Sequence, residues 1–192
     1  MDWIKIRPRI KSPDGKFEIT VTGPKESLRA WVTVKSLTPP YLSLRVLSIQ
    51  RDVTVLWRPD SKAFALTDDR YANLSYARVY GVYFAKCTNI GTCLALRVTD
   101  LTPVVRKVFE ASLQKYYFPN PYEILLFYAK ILRWIRKDRL LVGVSAMVTN
   151  PRHISGENEW NMAYIVDVAH KSVLREIKES QLLSKYGIKI AR

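Results

Sequence analysis

The sequence predicts a single α+β domain over residues 1–192, in which a largely antiparallel sheet from the N-terminal half is covered by helices from the C-terminal half. Through residues 1–100, apolar and polar side chains alternate with a period of two, which is typical of half-buried strands. From residue 101 onward the apolar spacing becomes helical, so residues 101–192 are expected to form helices plus one or two strands. A chain of 192 residues, 48% of them hydrophobic, has enough apolar material for one core.

The strands begin with a predicted hairpin over Trp3–Val21. Its turn is Ser12-Pro13-Asp14-Gly15, and Glu18 on the return strand is expected to face a cation across the pair. Leu28–Val34 follows as a strand, with a short helix over Glu26–Leu37 as the alternative. Further strands are predicted over Leu42–Ile49, Val53–Trp57, Ser75–Ala85 and Cys93–Val98, with a turn at Asp68-Asp69 before the third of these.

Three helices are predicted in the C-terminal half. The first begins at Thr102-Pro103, because proline favours the first helical position, and its apolar stripe includes Val105, Phe109 and Tyr116. The others are predicted from a capping pattern at Asn120-Pro121 and from Gly187 as a C-terminal stop. The three predicted helices span Thr102–Phe118, Pro121–Asp138 and Val173–Tyr186, with a buried strand at Leu140–Thr149 and a strand or helix start at Met162–Val168.

Net charge indicates the class of partner. The chain carries a formal charge of +14 and a sequence pI near 9.9, which favours polyanions such as nucleic acid or an anionic membrane face. Residues 1–96 hold 15 basic and 8 acidic groups, and the rest of the chain holds 16 and 9, so each half is +7. This even distribution predicts a basic folded surface rather than a basic tail.

Enzyme and metal signatures are missing from the sequence. It has no GxSxG, P-loop, HExxH or dinucleotide-binding glycine pattern, and only 7 glycines in all. Cys87 and Cys93 have no partner pair with zinc-like spacing, and the histidines His153 and His170 lie far from them and from each other. We therefore expect a non-enzymatic protein with no cofactor and no metal.

Two patterns indicate nucleic-acid binding. The first predicted strand places four cations on one face about 7 Å apart, which suits a phosphate backbone, although cations also protect edge strands from aggregation. A second strand interleaves tyrosines with arginine and offers a surface for base stacking, although such residues are also ordinary sheet material. The predicted nucleic-acid-binding residues are Lys5, Arg7, Arg9, Lys11, Arg78 and Tyr80.

A membrane-binding face is predicted on the helix over Pro121–Asp138. Cations crowd its end around a tryptophan, an arrangement that suits an anionic lipid surface, while the alternative is a solvated basic face at a helix C-terminus. The predicted residues are Lys130, Arg133, Trp134, Arg136, Lys137 and Arg139.

A short interaction motif lies beside Pro39-Pro40, where Tyr41 and Leu44 form a YxxL sequence of the late-domain type. With its length, its dispersed basic charge and its lack of enzyme signatures, the chain resembles small matrix proteins of non-segmented negative-strand RNA viruses, of the rhabdovirus or bornavirus kind. The resemblance implies a structural protein of the virion that self-associates as a homo-oligomer, binds RNA or ribonucleoprotein, and attaches to the inner membrane face. The alternative is a dedicated nucleic-acid-binding module, such as a viral RNA-silencing suppressor or movement protein.

The expected location is the cytoplasm or nucleus, of a host cell and its virions if the protein is viral. Two cysteines in a chain of this size are typical of a reducing compartment, and charges run through the N-terminal Met1–Arg7 segment, which disfavours a secretion signal. No apolar stretch approaches the roughly 20 residues that a membrane-spanning helix needs. Any membrane association is therefore expected to be peripheral.

Overall fold

The computed structural model describes residues 9–23, 30–49, 53–71, 74–88, 91–117, 119, 122–149 and 158–188. Of these described residues, 65% lie in twelve strands and 15% in two helices. The predicted α+β class, with helices covering the sheet, is therefore wrong, because the C-terminal half contributes four strands to the sheet. No helix among the described residues is both long enough and apolar enough to cross a bilayer.

The strands and helices follow one another along the chain in two groups. The N-terminal strands are β1 (Ile10–Lys11), β2 (Phe17–Thr22), β3 (Ala30–Ser36), β4 (Ser43–Ile49), β5 (Val53–Trp57), β6 (Ala63–Tyr71), β7 (Leu74–Cys87) and β8 (Gly91–Asp100). The C-terminal elements are α1 (Thr102–Tyr117), β9 (Glu123–Arg136), β10 (Arg139–Thr149), β11 (Asn158–Asp167), β12 (Ser172–Lys178) and α2 (Glu179–Tyr186).

The strands form two sheets. A four-stranded antiparallel sheet has the order β1-β2-β3-β4. An eight-stranded sheet has the order β12-β11-β10-β9-β7-β6-β5, with β8 also paired to β7. Its two halves, β5–β8 and β9–β12, meet where Leu74 of β7 and Phe127 of β9 form a single parallel pair.

Strand β6 is buried on both faces because it lies between two apolar cores. Phe64 and Leu66 face the four-stranded sheet, whereas Ala63 and Ala65 face β9, β10 and α1. Small alanines on the second face let β9 cross close to β6, where the Ile131 N–H donates a hydrogen bond to Thr67 Oγ1 at 2.8 Å. The fold is thus layered, with β5–β8 between the small sheet and the β9–β11 half.

Helix α1 confirms the prediction for Thr102–Phe118, and it buries Val105, Phe109 and Leu113 in the core shared with β9 and β10. Tyr116, which the predicted stripe included, is instead 69% exposed. Helix α2 covers the opposite face of β10 and β11, where Leu182 packs in a third core. The helices therefore lie on the two faces of the C-terminal strands.

The helix predicted over Pro121–Asp138 is wrong, because this segment forms β9 and the turn into β10. Its pairing with β10 shifts at three places, which leaves Leu125, Leu132 and Ile135 as extra residues on β9. Each such bulge displaces the two-residue alternation by one position. Ile131 and Trp134, three positions apart, consequently face the same core and imitate helical spacing.

A bulge also explains the error over Val173–Tyr186. Val166 pairs with Val173 and Ile165 with Arg175, so Leu174 is an extra residue that interrupts the two-residue alternation, and Val173 and Ile177 face opposite sides of the sheet. The helix prediction is wrong for Val173–Lys178, which belongs to β12, and is confirmed for Glu179–Tyr186, which is α2 and ends at Gly187 with φ +65°. The turn predicted at Asp68-Asp69 is likewise wrong, because both residues belong to β6.

The described part of the N-terminal hairpin confirms its prediction. Ile10 pairs with Ile19 and Lys11 with Glu18 around a turn in which Gly15 has φ +70°. The Ser12 hydroxyl donates a hydrogen bond to Asp14 Oδ1 at 2.6 Å, which closes the turn. The predicted residues before position 9 lie outside the described part of the chain.

Candidate nucleic-acid interface

An open cleft of about 800 Å³ lies on the face of β7 and β8 that looks towards the C-terminal strands. Its volume falls within the usual range of ligand pockets. The floor consists of small or short side chains, which leave space above this end of the core that β6 and β7 share with β9 and β10. These floor residues are Ala63, Val79, Gly81 and Thr99.

Three turns form the walls: the β5–β6 turn, the β9–β10 turn and the β11–β12 turn. The last two are held together because the Val168 N–H donates a hydrogen bond to the Asp138 carbonyl at 2.9 Å. Arg58 joins the first turn to the second by donating from Nη1 to the Lys137 carbonyl at 3.3 Å. The three turns are thus joined to one another by hydrogen bonds.

Positive charge dominates the lining. Five cations contribute to it, and Asp138 is the single carboxylate among the described lining residues. One of the five, Arg58, is neutralised by Asp60 at 2.6 Å, whereas the other four have exposed side chains. The four exposed cations are Lys62, Arg97, Lys137 and Lys171.

Asp60 supports the cationic wall without entering the cleft lining. Burial acts to raise its pKa, but hydrogen bonds from Arg58 and the Lys62 N–H, with the charge of Lys137, outweigh it and lower that pKa. The carboxylate therefore stays ionised and fixes the Arg58 guanidinium near the Trp134 ring, 6.0 Å from its centroid.

The β11–β12 turn also carries a histidine–carboxylate pair. His170 Nδ1 lies 2.9 Å from Asp167 Oδ2, and the His170 backbone N–H donates to Asp167 Oδ1 at 2.9 Å. The hydrogen bond and charge of Asp167, with Asp138 farther away, raise the pKa of His170. Protonation of His170 therefore adds positive charge next to the cleft at mildly acidic pH.

The basic strand predicted at the N-terminus is only partly described. Lys5 and Arg7 lie outside the described residues, while Arg9 and Lys11 are exposed at the edge of the small sheet. Lys11 lies directly opposite Glu18, as predicted. Neither Arg9 nor Lys11 lines the cleft, so this strand is a separate basic surface.

The surface predicted around Arg78 and Tyr80 is not open for base stacking. Tyr80 is 4% exposed and stacks on Phe64 in the core, with ring centroids 5.0 Å apart. Arg78 Nε lies 3.1 Å from Asp100 Oδ2, and its guanidinium lies over the Tyr76 ring. These contacts hold β7 to its neighbours, and the burial of Tyr80 makes the predicted base stacking on its ring wrong.

The cations predicted to bind membranes do not share one helical face, because they lie on β9, the following turn and β10. Trp134 is 9% exposed and donates from Nε1 to the Leu56 carbonyl at 3.1 Å, so it is a core residue and not an interfacial one. Only Lys137 reaches the cleft. Of the others, Lys130, Arg133 and Arg136 are exposed and Arg139 is half-buried.

The YxxL motif lies at the connection from β3 to β4. Tyr41 is 75% exposed and follows the exposed residues Pro39 and Pro40, whereas Leu44 begins to pack against the core of the small sheet. The tyrosine half of the motif is therefore accessible and the leucine half is partly buried.

The two cysteines form a disulfide between β7 and β8, with Cα atoms 5.9 Å apart. The small number of cysteines is the basis for predicting a reducing compartment, and disulfides are rare in such compartments. Among the described residues, no group of three or more His, Cys, Asp or Glu side chains is placed to hold a metal ion.

Most of the cleft residues could not be predicted from the sequence. Lys62, Arg97 and Lys171 belong to segments far apart in the chain, and no spacing pattern connects them. Lys62 and Lys171, like Lys137, lie in turns that precede strands. Long cations remain in solvent at such positions, and this is the one sequence feature that the three residues share.

No protein-family model matches the chain, and no curated protein is significantly similar to it. The chemistry of the cleft is therefore what indicates a function.

Proposed function

We propose that this protein binds nucleic acid through the phosphate backbone at the basic cleft. The observation that supports the proposal is the convergence of Lys62, Arg97, Lys137 and Lys171 from four separate segments around one concave surface of about 800 Å³. Concave surfaces of one charge sign concentrate counter-charged ligands more than the same charges on a flat surface. Phosphodiesters are the ligands that several separated lysines and arginines recognise together.

The cleft suits recognition of the backbone rather than of base sequence. Its described lining has little hydrogen-bonding capacity apart from the cations, Asp138 and Thr99. Base-edge readout needs several well-placed donors and acceptors. We therefore expect affinity that depends strongly on salt and only weakly on sequence.

A matched pair of variants tests the proposal. The cleft variant carries Lys62→Gln, Arg97→Gln and Lys137→Gln, three exposed side chains. The control variant carries Lys107→Gln, Lys115→Gln and Arg175→Gln, which are also exposed, lie outside the cleft, and remove the same charge from the same residue types.

The measurement is fluorescence anisotropy of a labelled oligonucleotide at about 0.1 M salt. Each phosphate contact in a single strand contributes about 0.7 to the salt exponent, so loss of three contacts should weaken binding by about tenfold to 100-fold. The control variant should bind almost as tightly as the wild type. Equal losses in both variants would mean that affinity follows net charge and that the cleft has no special role.

The matrix-like role expected from the resemblance would build on this activity, because packaging of ribonucleoprotein requires RNA binding together with self-association. Its membrane-binding part depended on a basic helix that is strand β9 in the structure. The proposal is therefore confined to nucleic acid.

A further inference from the structure

We infer that the cleft takes single-stranded nucleic acid, and that Tyr83 stacks on an unpaired base where the strand leaves the cleft. This inference rests on the proposed function and specifies the class of nucleic acid that the same site binds.

The pleat of β7 places Tyr83 on the cleft side. Val79 and Gly81 line the cleft, and successive side chains on a strand point to opposite faces. The pairing of β7 with β8 runs without a register shift from Arg78 opposite Asp100 to Cys87 opposite Gly91. Tyr83 therefore shares the face of Val79 and Gly81 and lies about 7 Å beyond Gly81 along the strand.

The path from the cleft to Tyr83 is open. Gly81 has no side chain, and its cross-strand partner Arg97 is one of the exposed cations. The residue opposite Tyr83 is Ala95, whose methyl group is too short to cover a tyrosine ring. A strand lying against Arg97 thus meets the Tyr83 ring next.

The Tyr83 ring is available for a ligand. It is 49% exposed and makes no ring contact with another described residue. Its neighbour Phe84 points to the opposite face, where it packs on Phe17 with centroids 5.9 Å apart. Phe84, although 42% exposed, thus contacts the small sheet, whereas Tyr83 faces solvent on the other side.

The ribbon that presents Tyr83 is restrained. Beyond Val82 the two strands continue as a paired hairpin, and the Cys87–Cys93 disulfide cross-links them. Because the backbone that carries Tyr83 is already ordered, stacking on a ligand costs no ordering of the ribbon itself.

Stacking selects single strands for a simple reason. In a duplex both faces of an internal base are covered by its neighbours, whereas an unpaired base can be turned out onto an aromatic side chain. Proteins that bind single strands without sequence preference combine a basic groove with such aromatic residues. The juxtaposition of Arg97, Gly81 and Tyr83 provides both parts.

The test compares Tyr83→Ala and Tyr83→Phe with Tyr41→Ala, a control at an exposed tyrosine in a distant loop. The ligands are oligo-dT and oligo-U of about 15 nucleotides, an abasic strand of the same length and a duplex. Tyr83→Ala should weaken binding of both base-containing single strands by about tenfold and leave the abasic strand and the duplex unchanged. Tyr83→Phe and Tyr41→Ala should bind like the wild type.

Two results would overturn the inference: an equal loss on abasic and base-containing strands, or no loss on either single strand with Tyr83→Ala. Photo-crosslinking of an oligonucleotide containing 5-iodouracil should label Tyr83, and labelling elsewhere would also contradict stacking at this residue. If the cleft variant loses affinity while Tyr83→Ala does not, only the stacking inference fails. If the cleft variant binds like the wild type, the proposed function fails as well.

Discussion

At the β9–β10 and β11–β12 turns, single side chains and backbone groups determine how the cleft walls stand. The Asp138 carbonyl accepts from the Val168 N–H, and Asp167 accepts from both the backbone and the ring of His170. Because Asp167 retains its charge down to a lower pH than usual, this arrangement persists into the acidic range. Local hydrogen bonds therefore preorganise a surface whose exposed cations are left for the ligand.

The Asp167–His170 pair makes a titration prediction. The folded-state pKa of His170 should lie above its ordinary value of 6.5, and Asp167→Asn should return it towards that value. NMR titration of the assigned imidazole resonances checks both. Because the pKa is raised on folding, the pair contributes its full stability below about pH 6.5 and loses it as pH rises through the folded-state pKa.

A second check is the thermal unfolding of the wild type and of His170→Gln between about pH 5 and 9. This range extends about two pH units either side of a normal histidine pKa. The difference in melting temperature should be largest at acidic pH and should shrink as pH rises. A constant difference across that range would show that His170 stabilises the turn without its charge.

Gly143 makes a packing prediction. A Cβ added there would lie 2.9 Å from Leu132 Cδ1, so Gly143→Ala forces the leucine, a bulge residue, to move. We expect a loss of about 1 kcal/mol in the free energy of unfolding, measured with denaturant. In a Leu132→Ala background the same change should cost less, and an undiminished cost would place the strain elsewhere.

At the scale of elements, the sequence correctly predicted strands and helices whose periodicity is uninterrupted. Val53–Trp57 matches β5 and Thr102–Phe118 matches α1 to within one residue, because each has a regular pattern and clear boundaries. The bulges of β9 and β12 could not be read from the chain, since an extra residue breaks the two-residue alternation by which a strand is predicted. Asp68 looked like a turn residue, yet it is buried on β6 with Arg78 Nη1 4.0 Å away.

The site was less predictable than the fold. The prediction for Lys137 rests on a helix that does not form, and the sequence patterns give no prediction for Tyr83. Lys137 meets the other cleft residues because turns from distant parts of the chain come together there, and Tyr83 lies on the adjoining part of the same face of β7; no local pattern encodes either arrangement.

The β7–β8 hairpin makes a prediction about the disulfide. Replacing Cys87 and Cys93 by Ser should lower the free energy of unfolding by about 2 kcal/mol, the expected entropic effect of closing a short loop. Chemical denaturation with and without reductant provides the measurement. A wild-type midpoint that does not respond to full reduction, verified by thiol alkylation and mass spectrometry, would contradict this contribution.

At the scale of the whole molecule, the excess of positive charge does not stabilise the fold. At +14 the chain repels itself, and such self-repulsion opposes the compact state. The described ion pairs neutralise only a few of the cations, among them Arg58, Arg78 and Arg106. Binding of a polyanion at the cleft would relieve part of this repulsion, so an oligonucleotide should raise the melting temperature more at low salt than at high salt.

The salt dependence of single-strand binding tests most sharply whether phosphates contact the cleft. The logarithm of the association constant of the wild type, the cleft variant and the control variant is measured against the logarithm of salt concentration. The slope of the cleft variant should be less steep than that of the wild type by about 2, because three contacts of about 0.7 each are lost. The control variant should keep the wild-type slope. If the cleft variant kept the wild-type slope, or both variants flattened it equally, phosphates would not contact the cleft and the proposed function would be wrong.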